Sequence, residues 1–144
     1  MFERIFALSD FSACAERALK VAVEVARKFD SHVTLVHACV TPASAYMGMV
    51  ASPLDLVTAV EDAARATLAE ALVALRREHA ASDSLLVFGH AASELLHAIQ
   101  RSDVDLVVMG TRGRSALPQV LLGSIAERLV RLSPVPVLTV RWRK

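Results

Sequence analysis

Short apolar runs rich in β-branched residues alternate along this chain with longer segments in which apolar residues recur at helical spacing. Such alternation predicts a parallel sheet covered by helices, because parallel strands must be joined by long crossovers and a helix usually forms them. We therefore predict an α/β fold with a single doubly wound, five-stranded parallel sheet, helices on both faces and one domain over residues 1–144. The predicted strands are residues 4–9, 31–39, 85–89, 104–109 and 135–142, and the predicted helices are residues 13–29, 54–79, 92–101 and 124–132.

Composition limits the classes of protein that fit. With 54% hydrophobic but only 5% aromatic residues, the core must consist mainly of Ala, Val, Leu and Ile, as in a covered parallel sheet. Lys plus Arg number 16 against 15 for Asp plus Glu, so no net field attracts nucleic acid or an anionic membrane. No apolar run reaches the roughly 20 residues that span a bilayer. We expect a soluble, cytoplasmic protein without nucleic-acid or membrane partners.

One stretch near the C-terminal end suggests a phosphate-binding site. The fourth predicted strand runs into Gly110, Gly113 follows three residues later, and after nine more residues Gly123 and Ser124 open an amphipathic helix. Glycine lets backbone N–H groups approach an anion closely, and a helix N-terminus favours negative charge. Arg112 adds a cation. The alternative is that these are ordinary turn glycines.

Neither common nucleotide fingerprint is present. The chain lacks G-x-x-x-x-G-K-[ST] and lacks G-x-G-x-x-G after its first strand, which argues against a P-loop NTPase or an ordinary dinucleotide-binding dehydrogenase. Its spacing G-x-x-G-x9-G-[ST] instead resembles that of the universal stress protein family, in the ATP-binding branch. The resemblance extends over the whole chain and includes the turn Ser9-Asp10-Phe11-Ser12 and the strand end Val36-His37-Ala38.

The resemblance implies a strand order of 3-2-1-4-5, in which strand order reverses between strands 1 and 4. Asp10, after strand 1, would then face Gly110, after strand 4. Asp10 would line the adenine end of the pocket, although it could equally serve only its own turn. Ala38 would lie beneath the adenine, where the family often has a larger valine. The implied binding residues are Ser9, Asp10, Ala38, Met109, Gly110, Arg112, Gly113, Gly123, Ser124 and Ile125.

By the same resemblance, Gly110 would lie against the ribose. The backbone amides of Gly113, Gly123 and Ser124 would bind the phosphates of ATP, or of ADP or AMP in its place, with Mg²⁺ or Mn²⁺. Leu8 replaces a proline that the family often has, and residues 118–119 are Pro-Gln where ATP-binding members often have basic residues. The second difference removes charge that would compensate a triphosphate.

The implied role is a stress-response and signalling module rather than an enzyme, because no general base can be placed beside the glycine turn. Pro134 and Pro136 mark the last strand as an edge, and the family commonly dimerises through this strand, so we predict a homodimer paired from Val135 to Val140. Two alternatives remain open: a dimeric scaffold that binds no nucleotide, and a slow ATPase or nucleotidyl transferase. The sequence does not identify a downstream partner.

The remaining chemical groups are weaker candidates. His37 and Cys39 share a strand face, and His90 and His97 lie seven residues apart, but no further ligand stands at a recognisable spacing, so we predict no metal site. Cys14 has no identifiable partner histidine for nucleophilic catalysis. The basic tail at residues 141–144 is interpreted as a solvated chain end, and residues 41–53 as a long surface loop near the site.

Overall fold

The computed structural model describes residues 1–40, 53–113 and 122–142. These residues form alternating strands and helices. The strands are β1 (Arg4–Leu8), β2 (His32–Cys39), β3 (Ser82–Phe88), β4 (Leu106–Gly110) and β5 (Val137–Val140), and the helices are α1 (Ala13–Phe29), α2 (Pro53–Glu78), α3 (Ala91–Gln100) and α4 (Ser124–Leu132). The predicted loop lies outside the described residues except for Pro53, which begins α2, and so do Pro118, Gln119, Arg143 and Lys144.

The five strands form one sheet in the order β3-β2-β1-β4-β5, and every pairing is parallel. Ala7, on the central strand β1, pairs with Leu35 on one side and Val108 on the other. The predicted α/β fold and strand order are therefore confirmed. Since order reverses between β1 and β4, the carboxyl ends of these two strands border a crevice.

Each face of the sheet is covered by two helices, which is the doubly wound arrangement. On one face, α1 and α2 bury a cluster that includes Ala22, Val33 and Leu75. On the other face, α3 and α4 bury a cluster that includes Val36 and Leu129. With both faces covered, a ligand reaches the sheet most readily at the strand ends. No helix among the described residues is long and apolar enough to cross a membrane.

The element boundaries differ from the predictions most at the two edge strands. β3 begins at Ser82, three residues before the predicted start, because the polar segment Ser82-Asp83-Ser84 pairs with β2 through its backbone. β5 is limited to Val137–Val140, shorter than the predicted residues 135–142. Pro136 has no N–H to donate, although its carbonyl accepts a bond from the Val107 amide. The other boundaries agree within one or two residues.

Candidate functional site

A cavity of about 560 Å³ opens at the carboxyl ends of the central strands. Its volume lies in the usual range for small-molecule sites. All ten residues that the sequence implied line this one cavity. Their roles towards a ligand remain predictions.

The turn from β1 into α1 satisfies its own backbone. The Phe11 amide donates to the Ser9 hydroxyl at 3.0 Å, and the Ser12 amide donates to Asp10 Oδ1 at 3.0 Å. Ser12 is the N-cap of α1, and its hydroxyl accepts a bond from the Ala15 amide at 3.2 Å. Side chains of the turn itself therefore accept three of the amide donors at this end of α1, those of Phe11, Ser12 and Ala15.

His37 fixes the end of β2 to the same turn. Its Nδ1 lies 2.7 Å from the Ser9 carbonyl oxygen, and since a carbonyl only accepts, Nδ1 carries the proton. The imidazole also packs on the Phe11 ring, with the ring centroids 4.4 Å apart. Phe11 has a φ of 62°, an unfavourable left-handed conformation that these contacts help to hold. The position of His37 is thus explained without a metal ion.

The three motif glycines have different surroundings. A Cβ on Gly110 would lie 2.6 Å from Cys14 Sγ, so glycine is required there for α1 to pack on β4. A Cβ on Gly113 would lie 3.2 Å from Asp10 Oδ2, which shows how closely the glycine loop approaches the β1–α1 turn. A Cβ on Gly123 would make only an ordinary contact, 3.4 Å from the Thr111 carbonyl oxygen.

The start of α4 contrasts with that of α1. Gly123 is its N-cap and offers no side-chain hydrogen bond. The Gly123 amide donates to the Thr111 carbonyl at 2.7 Å, so this donor, one of three predicted to bind phosphate, is used within the protein. Within the described part of the chain, the amides of Gly113 and Ser124 have no hydrogen-bond partner. These two amides remain available to an anion, beside the half-buried Arg112.

Several cavity residues were not named by the sequence reasoning. Leu8, Val36, Leu95 and Ala126 form much of the apolar wall and belong to the core on the α3 and α4 side. Their apolar character predicted burial but could not show that one edge of that core remains open. Thr111 was also missed, although its place between Gly110 and Gly113 was a signal. The remaining unnamed lining residues are Ala15, His37, Val40 and Ala91.

The cysteines and histidines form no metal cluster in the regions described: no three of the His, Cys, Asp or Glu side chains there are grouped to hold an ion. Burial raises the pKa of the Cys39 thiol; Glu61 raises this pKa further, and Arg65 partly opposes them. Cys39 is therefore protonated and poorly nucleophilic at neutral pH. Cys14 is also buried, and its Sγ donates to the Val140 carbonyl at 3.5 Å.

Comparison with known proteins identifies the family. The model of the universal stress protein family matches residues 1–141. The chain belongs to this family. It is 36% identical to the universal stress protein encoded in the QAH/OAS sulfhydrylase 3′ region of Thermus aquaticus, over 98% of this chain and 100% of that protein.

Solved structures of universal stress proteins share the fold. UspA from Lactobacillus plantarum superposes with a TM-score of 0.82 at 20% identity, covering 97% of this chain and 98% of that one. The universal stress protein from Archaeoglobus fulgidus, solved in complex with dAMP, gives a TM-score of 0.66 at 22% identity, covering 97% of this chain and 98% of that one. At identities this low, the similarity shows that the folds are alike and shows nothing more.

Proposed function

We propose that this universal stress protein binds adenine nucleotide, with ATP as the main ligand, in the cavity between the β1–α1 turn and the glycine loop. The observation that carries the proposal is the approach of these two segments, in which a Cβ on Gly113 would lie 3.2 Å from Asp10 Oδ2. Gly113 and Ser124, whose amides have no partner within the described part of the chain, both line this cavity. The Archaeoglobus fulgidus universal stress protein was solved in complex with dAMP, which supports an adenine nucleotide as the ligand.

Each part of the ligand has a suitable counterpart. The adenine would lie against the apolar wall near Ala38, with Asp10 at its polar edge, and the ribose against Gly110. The phosphates would bind the amides of Gly113 and Ser124 at the start of α4. Arg112 would offset part of their charge.

A divalent cation would be held mainly by the nucleotide itself. The described residues contain no cluster of acidic side chains to bind Mg²⁺ or Mn²⁺, so phosphate oxygens and water would supply the ligands. The ion would neutralise phosphate charge there. The described cavity lining provides a single carboxylate, Asp10, and Asp10 Oδ1 already accepts the Ser12 amide. We therefore propose a nucleotide-dependent binding module of the cytoplasm rather than an efficient ATPase.

Mass spectrometry of small molecules that copurify with the protein tests this function, followed by calorimetry with ATP. We expect adenine nucleotide in the purified protein and saturable ATP binding. Gly113→Val should weaken binding at least tenfold, because the side chain would enter the space between the loop and Asp10. Thr67→Val, on the exposed face of α2, is the matched control and should bind as wild type does. Absence of binding at millimolar ATP would reject the proposal.

The homodimer is proposed from the difference between the two edges of the sheet. On β3, the Arg76 guanidinium donates to the Ser82 carbonyl at 2.9 Å, and Arg65 lies over the Phe88 ring at 5.1 Å. Such charged cover discourages pairing with another strand. β5 is the opposite edge, and Leu138 on it is 38% exposed. We propose that two copies pair through β5 in the segment from Val135 to Val140.

Sedimentation equilibrium tests the dimer with two matched variants. Leu138→Asp places a charge on the β5 edge and should give a monomer. Val73→Asp places the same charge at an exposed apolar position on α2 and should leave the dimer intact. Equal behaviour of the two variants would remove the case for pairing through β5.

One observation favours a second candidate, a dimeric scaffold that binds no nucleotide. Gly110 is required by its contact with Cys14, so this motif glycine has a reason to be present without any ligand. Thermal melting separates the candidates: ATP should raise the melting temperature of the wild type and not that of Gly113→Val. A scaffold would show no ATP-dependent shift in either protein.

A further inference from the structure

Thr111 is the most buried polar residue on the described wall of the cavity. Only 4% of its surface is exposed. Its hydroxyl makes no hydrogen bond within the described part of the chain. Polar side chains of residues this buried usually have a hydrogen-bond partner, so an unpartnered hydroxyl on a cavity wall is a candidate contact for a ligand.

The hydroxyl also keeps access to the cavity. Among the described residues, no side-chain oxygen or nitrogen that is sealed from solvent lacks a partner. The unpartnered Thr111 hydroxyl is therefore not sealed, and the cavity is the space that this residue lines. A ligand in the cavity can thus reach it.

The backbone sets the direction of the side chain. The Thr111 amide donates to the Val140 carbonyl at 3.0 Å, so the sheet hydrogen bonding continues one residue beyond β4. Along a strand, alternate side chains lie on the same face. Met109 belongs to the core on the α3 and α4 side, whereas Gly110 faces Cys14 of α1. Thr111 consequently lies on the Met109 side, where α4 begins.

Thr111 lies next to the start of α4, because its carbonyl oxygen accepts a hydrogen bond from the Gly123 amide at 2.7 Å. We propose that the Thr111 hydroxyl donates a hydrogen bond to the phosphate attached to the ribose. This inference rests on the proposed function. Thr111 follows Gly110, assigned to the ribose, and precedes Gly113, assigned to the phosphates, so the first phosphate is the group between them.

Calorimetry with adenosine, AMP and ATP tests the assignment on the full chain. Thr111→Val keeps the shape of the side chain and removes only the hydroxyl. We expect this variant to bind AMP and ATP more weakly by the same factor, about tenfold, and to bind adenosine with unchanged affinity. Thr111→Ser retains the hydroxyl and should bind within about threefold of wild type. Thr67→Val, an exposed change of the same kind, should have no effect.

Thermal melting without ligand excludes a purely structural role. The Thr111 hydroxyl makes no hydrogen bond within the described part of the chain, so replacing it by a methyl group should leave the melting temperature equal to that of wild type or above it. A lower melting temperature together with equal weakening of all three ligands would overturn the inference, as would unchanged AMP binding. If wild type bound none of the three ligands, the proposed function itself would fail. If Gly113→Val abolished AMP binding while Thr111→Val bound AMP as wild type does, only the Thr111 assignment would fail.

Discussion

Two helices, α1 and α4, begin on the wall of the same cavity but differ in how their first amides are satisfied. At α1, the Ser12 hydroxyl accepts the Ala15 amide, and Asp10 accepts the Ser12 amide. At α4, the N-cap is Gly123, which has no side chain to accept a bond. Both are strand-to-helix turns at the carboxyl edge of the sheet. This difference underlies our proposal that phosphate binds at the start of α4 and not at the start of α1.

The largest effect is expected from giving α4 the acidic cap that it lacks. Gly123→Asp would place a carboxylate against the first amides of α4, where it would occupy them and repel phosphate. We expect ATP affinity to fall by on the order of a hundredfold or more. The free energy of unfolding without ligand should stay constant or rise by a few tenths of a kcal/mol. Calorimetry and urea denaturation measure the two effects.

Gly123→Ala is the control for that change, because a Cβ at this position makes only a 3.4 Å contact and supplies no acceptor. It should bind ATP within a few-fold of wild type. If Gly123→Asp also bound as wild type does, the distinction between the two helix starts would lose its functional meaning.

The next effect concerns Gly110, where the start of α1 contacts the end of β4. Gly110→Ala would force a methyl group against Cys14 Sγ, and we expect it to lower the free energy of unfolding by about 1–3 kcal/mol. Combining it with Cys14→Ala should recover part of the loss, so the double variant should be more stable than the sum of the single variants predicts. Urea denaturation of all four proteins measures this coupling. Strict additivity would show that the contact does not determine the glycine.

A smaller effect, on stability for one helix start and on ATP affinity for the other, distinguishes the N-termini of α1 and α4. Ser12→Ala should lower the stability of the protein without ligand by about 1 kcal/mol, because α1 loses its cap. The rise in melting temperature that saturating ATP produces should be unchanged. Ser124→Ala should do the reverse, with little change in stability and a several-fold loss of ATP affinity. A loss of ATP affinity in Ser12→Ala would contradict the view that this turn is closed to the ligand.

Much of the fold followed from local pattern, and less of the site did. Helical periodicity predicted α4 with its observed ends, and buried β-type runs predicted β1, β2 and β4 to within two residues. The polar start of β3 at Ser82 was not predicted, because these residues pair with β2 through backbone hydrogen bonds and their side chains do not have the apolar pattern of a strand. The strand order came from the family resemblance rather than from periodicity.

Within the site, contacts between residues distant in sequence were the limit. The family resemblance implied that Asp10 and the motif glycines face one another, and in the structure they line one cavity. They could not show that Gly110 serves a contact with Cys14, or that the Gly123 amide is used by Thr111. Both are tertiary interactions, and the second leaves one amide donor fewer for a ligand than the motif alone suggests.

The most direct test of the account is a titration of the isotope-labelled protein with AMP, followed by amide chemical shifts in two-dimensional NMR spectra. The account predicts large, saturable shifts for the amides of Gly113 and Ser124, and much smaller ones for Ser12 and Ala15 at the start of α1. Shifts that are absent at Gly113 and Ser124, or that are largest at Ser12 and Ala15, would contradict it.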